Sequence, residues 1–339
     1  MPKRQLYEGL PSSPRRPAPF KNVVYQREAV ARATIEAFAP HLVIVDHAPA
    51  GLFGEIAAAL DTLDRSRPRP AFIFLMRDIT FGAKQTRDLW RPERAFDFLD
   101  RVYDRILVYG SRELYDPIEE YQISPTAAAK TRFCGYLRPP APTRTSAEIR
   151  HELGASDRPL IVVTVGGGAD GGAIVRAYLS ALSHGPPDDL VSFIVSGPLL
   201  DHAERDAITE LADRHPNVTL RTFHPDLISY LHAADLIVTM GGYNAMVESV
   251  VTGKPTLVIP RKPGSEEQLI RGERFAERGF VDLLPPRELT PHRLGEAIVT
   301  GLQRGERPPR SLPLDGREAI MDELMGILNH RFPLALDSG

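Results

Sequence analysis

Short apolar runs alternate with segments of helical periodicity along most of the chain, which is typical of a parallel α/β protein. Each apolar run has the length of one buried strand. The strands predicted in the first half are Leu42–Asp46, Ala71–Met76, Arg105–Tyr109 and a short one near Arg132–Cys134. Those predicted in the second half are Leu160–Val165, Leu190–Ser196, Val218–Arg221, Leu236–Met240, Thr256–Ile259 and Phe280–Leu283.

The segments with helical patterns lie between these strands. In the first half they are Val24–Phe38, Leu52–Leu63, Arg94–Val102 and Glu113–Tyr121. In the second half they are Gly172–Leu182, Ala203–Arg214, Pro225–His232, Tyr243–Val251, Glu266–Arg278, Pro291–Arg304 and Arg317–Asn329. This alternation predicts two Rossmann-like domains facing a cleft, with ligands at the carboxyl ends of the strands.

A chain of 339 residues is long for one core, which favours two domains. A proline-rich stretch at 138–145 separates the two α/β runs. The predicted parts are a disordered lead-in at 1–22, an N-terminal domain at 23–140, a linker at 141–157, a C-terminal domain at 158–315, and a last helix and tail at 316–339.

The stretch TMGGYNAMVESVVTGKPTLVIP, residues 239–260, contains the most informative candidate chemistry. Gly241 and Gly242 lie where a buried strand stops and a helix begins, so backbone N–H groups and a helix dipole face an anion such as phosphate. Asn244 and Glu248 follow four residues apart on one helical face. A carboxylate one turn beyond a phosphate site is well placed to accept hydrogen bonds from a ribose, which indicates a nucleotide.

A second glycine cluster, Gly166-Gly167-Gly168, follows the strand that ends at Val165 and opens another helix. It has neither the Gly-Lys-Ser/Thr of a Walker loop nor the order of a dinucleotide fingerprint. The glycines could simply form a tight turn. With Gly241 and Gly242 in the same domain, the two loops are predicted to approach one ligand from two sides.

Each polar candidate also has a plainer interpretation. Glu248 could be an exposed helix charge, and Asn244 could cap its helix. Glu267 and Gln268 could bind sugar hydroxyls at the start of the next helix. Alternatively, Ser265 or Gly264 starts that helix, and Glu266 and Glu267 simply favour its dipole. His224, in Phe223-His224-Pro225-Asp226, could be a base or an ordinary loop residue, while Asp226 is predicted to cap the following helix.

The first half offers one acid–base candidate. Asp46 and His47 stand at the carboxyl edge of a buried strand, where a histidine can move a proton. The alternative is that His47 only forms a turn. The pair Arg77-Asp78 follows the next strand in the same way and could bind an anion or form a structural salt bridge.

Composition narrows the class of protein. The formal net charge of −3 gives no general attraction to nucleic acid or an anionic membrane. Cys134 is the single cysteine, which excludes an internal disulfide, and its place in a strand indicates a small core residue. No apolar run reaches the ~18–20 residues of a membrane span, and the sequence has no Cys/His metal cluster. These features predict a cytoplasmic protein without a nucleic-acid partner.

The stretch GGYNAMVESVVTGKPTLVIPRKPGSEEQLIRGERFAERG looks like the donor-binding signature of the GT-B glycosyltransferases of family 28, in both order and spacing. VDHAPAGLFGE and FCGYLRP are similar to predicted bacterial glycosyltransferases of that superfamily. The family includes the enzyme that adds N-acetylglucosamine to form lipid II and the plant galactolipid synthases. Weaker similarity runs from about Phe38 to the last helix.

The resemblance implies a UDP-sugar substrate in the C-terminal domain, with no cofactor and no metal. It places Glu248 at the ribose and the loop at Phe223 and His224 beside the uracil. Glu267 and Gln268 would contact the transferred sugar. The residues expected near the diphosphate are Gly166, Gly167, Gly168, Gly241, Gly242, Tyr243 and Asn244.

The chain departs from the family pattern at three places. Glu267 and Arg271 stand where the family often has Gln and Asn. No apolar strand with a Gly-His loop precedes Val24, so the N-terminal domain is expected to be incomplete, lacking the family's first βαβ unit. A partner chain that completes this domain is therefore conceivable, because some relatives divide the two halves between chains.

The leading hypothesis is a hexosyltransferase that moves sugar from a UDP-sugar to an acceptor hydroxyl, with His47 as the candidate base. The acceptor is expected to be lipid-linked or a small molecule, with peripheral contact at the inner face of the membrane as one setting. Two alternatives are a non-catalytic nucleotide-sugar-binding protein, or one half of a split transferase, and a nucleotide-sugar hydrolase or epimerase.

Overall fold

The computed structural model describes residues 18–167, 170–261, 266–305 and 311–332. The described residues divide into two compact units. The first consists of residues up to 138 together with those from 312 onward, and the second lies between 139 and 311. Each is an α/β unit with its own parallel sheet, so the predicted fold class is confirmed.

The sheet of the first unit has the order β1-β2-β3-β4, and every neighbouring pair is parallel. Its strands are β1 (Leu42–Asp46), β2 (Ala71–Arg77), β3 (Arg105–Tyr109) and β4 (Thr131–Phe133). The central strands β2 and β3 are almost continuously buried and apolar, as a parallel sheet covered on both faces requires. The sequence predicted these strands well because a buried parallel strand appears as a continuous apolar run.

Among the described residues, six helices of the first unit lie before the start of the second unit. They are α1 (Ala18–Phe38), α2 (Ala57–Asp64), α3 (Ala83–Trp90), α4 (Ala95–Arg101), α5 (Pro117–Glu120) and α6 (Pro125–Ala129). The predicted helix from Leu52 begins only at Ala57, because Gly51 and Gly54 adopt positive φ angles of 86° and 79° and form turns. The predicted helix from Glu113 is likewise shorter, and begins after the cap formed by Asp116.

The second unit contains a larger parallel sheet with the order β10-β9-β8-β5-β6-β7. Its strands are β5 (Leu160–Thr164), β6 (Val191–Val195), β7 (Val218–Arg221), β8 (Leu236–Thr239), β9 (Thr256–Val258) and β10 (Asp282–Leu283). β5 lies between β6 and β8, so the strand order reverses there. Such a switch point is where parallel α/β sheets bind ligands.

Helices connect and cover these strands. They are α7 (Ser146–Glu152), α8 (Gly172–Ala181), α9 (His202–Ala212), α10 (Leu227–Ala233), α11 (Tyr243–Val251), α12 (Glu267–Glu277) and α13 (Pro291–Arg304), with a 3₁₀ turn at Pro286–Glu288. The predicted linker at 141–157 contains α7. This helix begins with a capping box between Thr145 and Glu148. Apolar residues of β5, β8, α8 and α13 form the main core.

The last helix, α14 (Gly316–Arg331), belongs to the first unit. Arg331 donates to Asp104 at 2.6 Å and to the carbonyl oxygen of Pro70 at 3.0 Å. Asp104 also accepts from the backbone N–H of Phe72 and from Arg69. This network fastens the end of the chain to the loops before β2 and β3, which no local sequence pattern indicated.

Candidate functional site

The pairing of β5 with β8 places two glycine turns side by side. The two strands are in register from Ile161↔Leu236 to Thr164↔Thr239, so they end together. Adjacent strands lie about 4.8 Å apart. The loop at Gly166 and Gly167 therefore neighbours the loop at Gly241 and Gly242. Gly168 lies outside the described residues.

Gly241 and Gly242 differ in what requires a glycine. Gly241 has φ +77°, and a Cβ there would lie 2.7 Å from Cγ1 of Val258, so the turn and its packing both need glycine. Gly242 has an ordinary φ of −61°, and an added Cβ would meet nothing within 4 Å. Neither backbone strain nor packing in the described structure explains Gly242, whereas close approach of a ligand would.

The start of α11 presents donors to this open space. Gly242 is the cap residue, and no side chain in the described part of the chain caps the helix. The first N–H groups of an α-helix have no partner within the helix and carry its positive dipole end. Asn244 is exposed in the first turn, so the alternative that it caps α11 is wrong.

The loop after β5 is similarly open on one side. Gly166 has φ +64°, and a Cβ there would meet nothing within 4 Å. A Cβ on Gly167 would touch only Cδ1 of Leu199, at 3.5 Å. Leu199 also donates its N–H to the carbonyl oxygen of Gly167 at 3.0 Å, which fixes the loop after β6 against this turn.

Glu248 lies one turn beyond Asn244 and is half-buried. Within the described residues, its carboxylate has neither a hydrogen-bond partner nor an ion-pair partner. Burial raises the pKa of Glu248 above its ordinary value, because desolvation disfavours the charged form. The interpretation of Glu248 as an exposed helix charge is therefore wrong. An unpartnered, partly desolvated carboxylate can instead accept hydrogen bonds from a ligand.

Arg271 is the site residue whose role the sequence did not reveal. It is fully buried, with 0% of its side chain exposed. Its Nη1 donates to the carbonyl oxygen of Gly241 at 3.2 Å and to Oε1 of Glu267 at 3.0 Å. Its Cζ lies 5.9 Å from the ring centroid of Tyr243. The available signal was the spacing of Glu267 and Arg271, four residues apart on one helix.

Gln268 is held by backbone rather than by another side chain. Its Oε1 accepts from the N–H of Arg261 at 3.1 Å, just beyond β9. The side chain of Arg261 in turn contacts Asp170 at 2.8 Å, so an ion pair links the loops that follow β9 and β5. Residues 262–265, which include the alternative helix starts Gly264 and Ser265, lie outside the described residues.

Phe223 and His224 follow β7, three strands away from β8 and so about 14 Å along the sheet. The Phe223 side chain is 65% exposed, while His224 packs edge-on against Tyr230 with ring centroids 4.5 Å apart. Nδ1 of His224 accepts from the N–H of Asp226 at 3.2 Å. These contacts favour a structural imidazole over a base.

Asp226 occupies the cap position of α10 without a side-chain bond to the helix backbone, so that predicted cap is wrong in its chemistry. Its carboxylate accepts instead from the hydroxyls of Ser229 and Thr143, at 2.8 and 2.6 Å. The predicted linker is thereby attached to α10.

His47, in the first unit, directly follows β1 and adopts a positive φ of 72°. Its N–H donates to the carbonyl oxygen of Leu75 at 3.0 Å, and its ring lies 5.8 Å from that of Phe81. The neighbouring Asp46 accepts from the Tyr109 hydroxyl at 2.7 Å. The proposal that His47 is a base stays a prediction.

Three further observations concern the described part of the chain. Cys134 is buried, and desolvation raises the pKa of its thiol to about 11, which fits a core residue. Among the described residues, no cluster of three or more His, Cys, Asp or Glu is arranged to hold a metal ion. Within the same ranges, every helix is too short or too polar to cross a membrane.

Comparison with known proteins shows which family the second unit resembles. Residues 152–312 match the Glycosyltransferase family 28 C-terminal domain. A 180-residue alignment shows 28% identity to the UDP-N-acetylglucosamine--N-acetylmuramyl-(pentapeptide) pyrophosphoryl-undecaprenol N-acetylglucosamine transferase of Exiguobacterium sibiricum, covering 52% of this chain and 48% of the relative. The chain spans about half the length of the curated relatives it matches.

Solved structures share the fold. CalG4, the calicheamicin glycosyltransferase, matches with a TM-score of 0.59 and 19% identity over 97% of this chain and 85% of that one. A UDP-N-acetylglucosamine 2-epimerase matches with a TM-score of 0.57 and 14% identity, over 94% and 79% of the two chains. Two Rossmann-like units of this kind define the GT-B fold. Residues 152–312 are therefore similar to the C-terminal domain of glycosyltransferase family 28, and the chain shares the GT-B fold.

We expect Gly242→Ala to weaken UDP binding by about tenfold or more while leaving thermal stability almost unchanged. The new methyl group enters open space at an ordinary φ, so only a ligand would meet it. Calorimetric titration with UDP and thermal unfolding measure the two effects.

Two matched variants complete this test. Gly241→Ala should lower stability, because its Cβ meets Val258 at positive φ. Gly326→Ala, at an open helical position in the first unit, should leave UDP binding unchanged. If Gly242→Ala bound UDP as tightly as the wild type does, the diphosphate would have to bind away from Gly242.

We expect Glu248→Gln to weaken UDP binding and to raise stability at pH 7. A raised pKa in the folded state means that protonation stabilises the fold, so the charged wild-type residue is unfavourable at neutral pH. The wild type should gain stability relative to the variant as pH falls through the folded pKa of Glu248. That relative gain should be complete below the unfolded value of about 4.3.

Thermal unfolding between pH 7 and about pH 4 measures this difference for both proteins. Glu273→Gln, at an exposed position of the same unit, is the control and should change neither property. A Glu248→Gln protein that is less stable than wild type at pH 7 would show that the carboxylate has a structural partner.

Proposed function

We propose that this protein is a glycosyltransferase that moves a hexosyl group from a UDP-sugar to an acceptor hydroxyl. The second unit binds the donor in this proposal, and the first binds the acceptor. The match of residues 152–312 to the family 28 C-terminal domain supports glycosyl transfer. The finer assignment depends on the chemistry of the loops after β5 and β8 and of helix α11.

One observation carries the donor assignment: among the described residues no side chain caps α11, and an unpartnered carboxylate lies about one and a half turns beyond the helix start. The N–H groups at Gly242 and Tyr243 suit a diphosphate, which needs donors and positive potential. Glu248 suits a ribose, which offers two hydroxyl donors. A nucleoside diphosphate has both groups at this spacing, whereas inorganic phosphate would leave Glu248 unused.

The same donors give a physical route for the reaction. When the bond between the sugar and the β-phosphate breaks, negative charge grows on the departing diphosphate. Backbone N–H groups and the dipole of α11 are already oriented towards that charge, so they stabilise the transition state without reorganising. The acceptor hydroxyl must also lose its proton, for which His47 is the candidate base.

The identity of the sugar and acceptor is proposed only as a class. The relative from Exiguobacterium sibiricum is named for transfer of N-acetylglucosamine from UDP to a pyrophosphoryl-undecaprenol acceptor. We therefore propose an uncharged hexose or N-acetylhexosamine as the donor sugar, and a lipid-linked or small-molecule hydroxyl as the acceptor. A lipid-linked acceptor would bring the protein to the inner face of a membrane.

The first experiment is titration of the purified chain with UDP, UDP-glucose and UDP-N-acetylglucosamine, followed by NMR analysis of products with candidate acceptors. We expect binding of UDP and one UDP-sugar, and a new glycosidic product. Free sugar without acceptor would identify a hydrolase, and an altered UDP-sugar an epimerase. Binding without any product would identify a binding protein or half of a split enzyme. A folded chain that does not bind UDP would contradict the proposal.

A further inference from the structure

We propose that the Glu267–Arg271 ion pair determines which sugar this donor site accepts, favouring uncharged hexoses and rejecting uronic acids. Glu267 would contact the sugar, and Arg271 would act through it as a positioning residue. The proposal rests on the proposed function, because it assumes that the site binds a UDP-sugar.

Arg271 connects three parts of the candidate site through one buried group. Its Nη1 bonds both the carbonyl oxygen of Gly241 and the carboxylate of Glu267. The guanidinium also lies beside the ring of Tyr243, the first residue of α11. A fully buried arginine with these partners has little freedom, so the Glu267 carboxylate is held two hydrogen bonds away from the Gly241 turn.

The start of α12 lies against the same turn. A Cβ on Gly241 would be 3.6 Å from the carbonyl oxygen of Gln268. Glu267 is the first residue of this helix, and 16% of its side chain is exposed. A sugar attached to a diphosphate at Gly242 would therefore extend from the turn that Arg271 ties to Glu267.

A carboxylate and an amide recognise different groups. In the ion pair with Arg271, the carboxylate oxygens of Glu267 accept hydrogen bonds and donate none. Its Oε1 bonds Arg271, and its second oxygen can accept from a sugar hydroxyl. Hydroxyls donate readily to such an oxygen. The carboxylate of a uronic acid offers no donor and brings a like charge, which is unfavourable at short range.

Because Arg271 is buried, a variant that tests this proposal must still give Arg271 a hydrogen-bond acceptor. Removing one member of a buried ion pair is strongly destabilising, because the other charge is left without a partner. Glu267→Gln keeps an amide oxygen that can accept from Arg271, so the packing is retained while the charge is removed. Glu266→Gln is the matched control, since Glu266 is the exposed neighbour and carries the same charge.

The experiment measures dissociation constants of UDP, UDP-glucose and UDP-glucuronic acid for wild type, Glu267→Gln and Glu266→Gln, with thermal unfolding as the check on folding. We expect wild type to prefer UDP-glucose over UDP-glucuronic acid by about tenfold or more. In Glu267→Gln that ratio should fall towards one, while UDP affinity stays within about twofold. Glu266→Gln should behave like wild type.

A purely structural role for the pair would change stability, or the affinity for all three ligands together, without altering the ratio. An unaltered ratio in a folded Glu267→Gln that binds UDP normally would overturn this inference alone. Absence of UDP binding by wild type would overturn the proposed function, and the inference with it.

Discussion

The parallel pairing of β5 with β8 is the constraint on which the candidate site depends. These strands are far apart in the chain, yet their last paired residues, Thr164 and Thr239, stand side by side. The chain must turn into a helix after each, so two glycine loops open at one edge of the sheet. The candidate anion site, the Glu248 carboxylate and the start of α12 all take their positions from this edge.

The site combines groups that folding alone would not favour. Glu248 is partly desolvated without a partner among the described residues, and the start of α11 has no side-chain cap. The cost of burying the charge of Arg271 is offset by its hydrogen bonds to Glu267 and to the carbonyl oxygen of Gly241. An unpartnered carboxylate beside a buried ion pair indicates a division of roles. The ion pair fixes the geometry, and in the proposed function Glu248 and the start of α11 bind the ligand.

The sequence predicted much of this fold because buried parallel strands are short, continuous apolar runs. The bounds predicted for β1, β3 and β7 agree with the structure residue for residue. The sequence did not predict the strand order, because the placement of β8 beside β5 depends on packing across the sheet. The attachment of α14 to the first unit through Arg331 and Asp104 was hidden for the same reason.

Within the site, local sequence located the glycine turns and Glu248, because a strand–glycine–helix junction has a recognisable pattern. It did not identify Arg271, since an arginine on an amphipathic helix normally faces water. It also did not separate Gly241 from Gly242. Their different needs for glycine follow from the φ angles and from the distance to Val258, which depend on the three-dimensional fold.

The most direct measurement is a crystal structure of the chain with UDP. We expect diphosphate oxygens about 3 Å from the N–H groups of Gly242 and Tyr243. We also expect both ribose hydroxyls to donate to the carboxylate of Glu248. A structure in which UDP is ordered elsewhere, with the start of α11 left to solvent, would contradict the assignment of this edge of the sheet as the donor site.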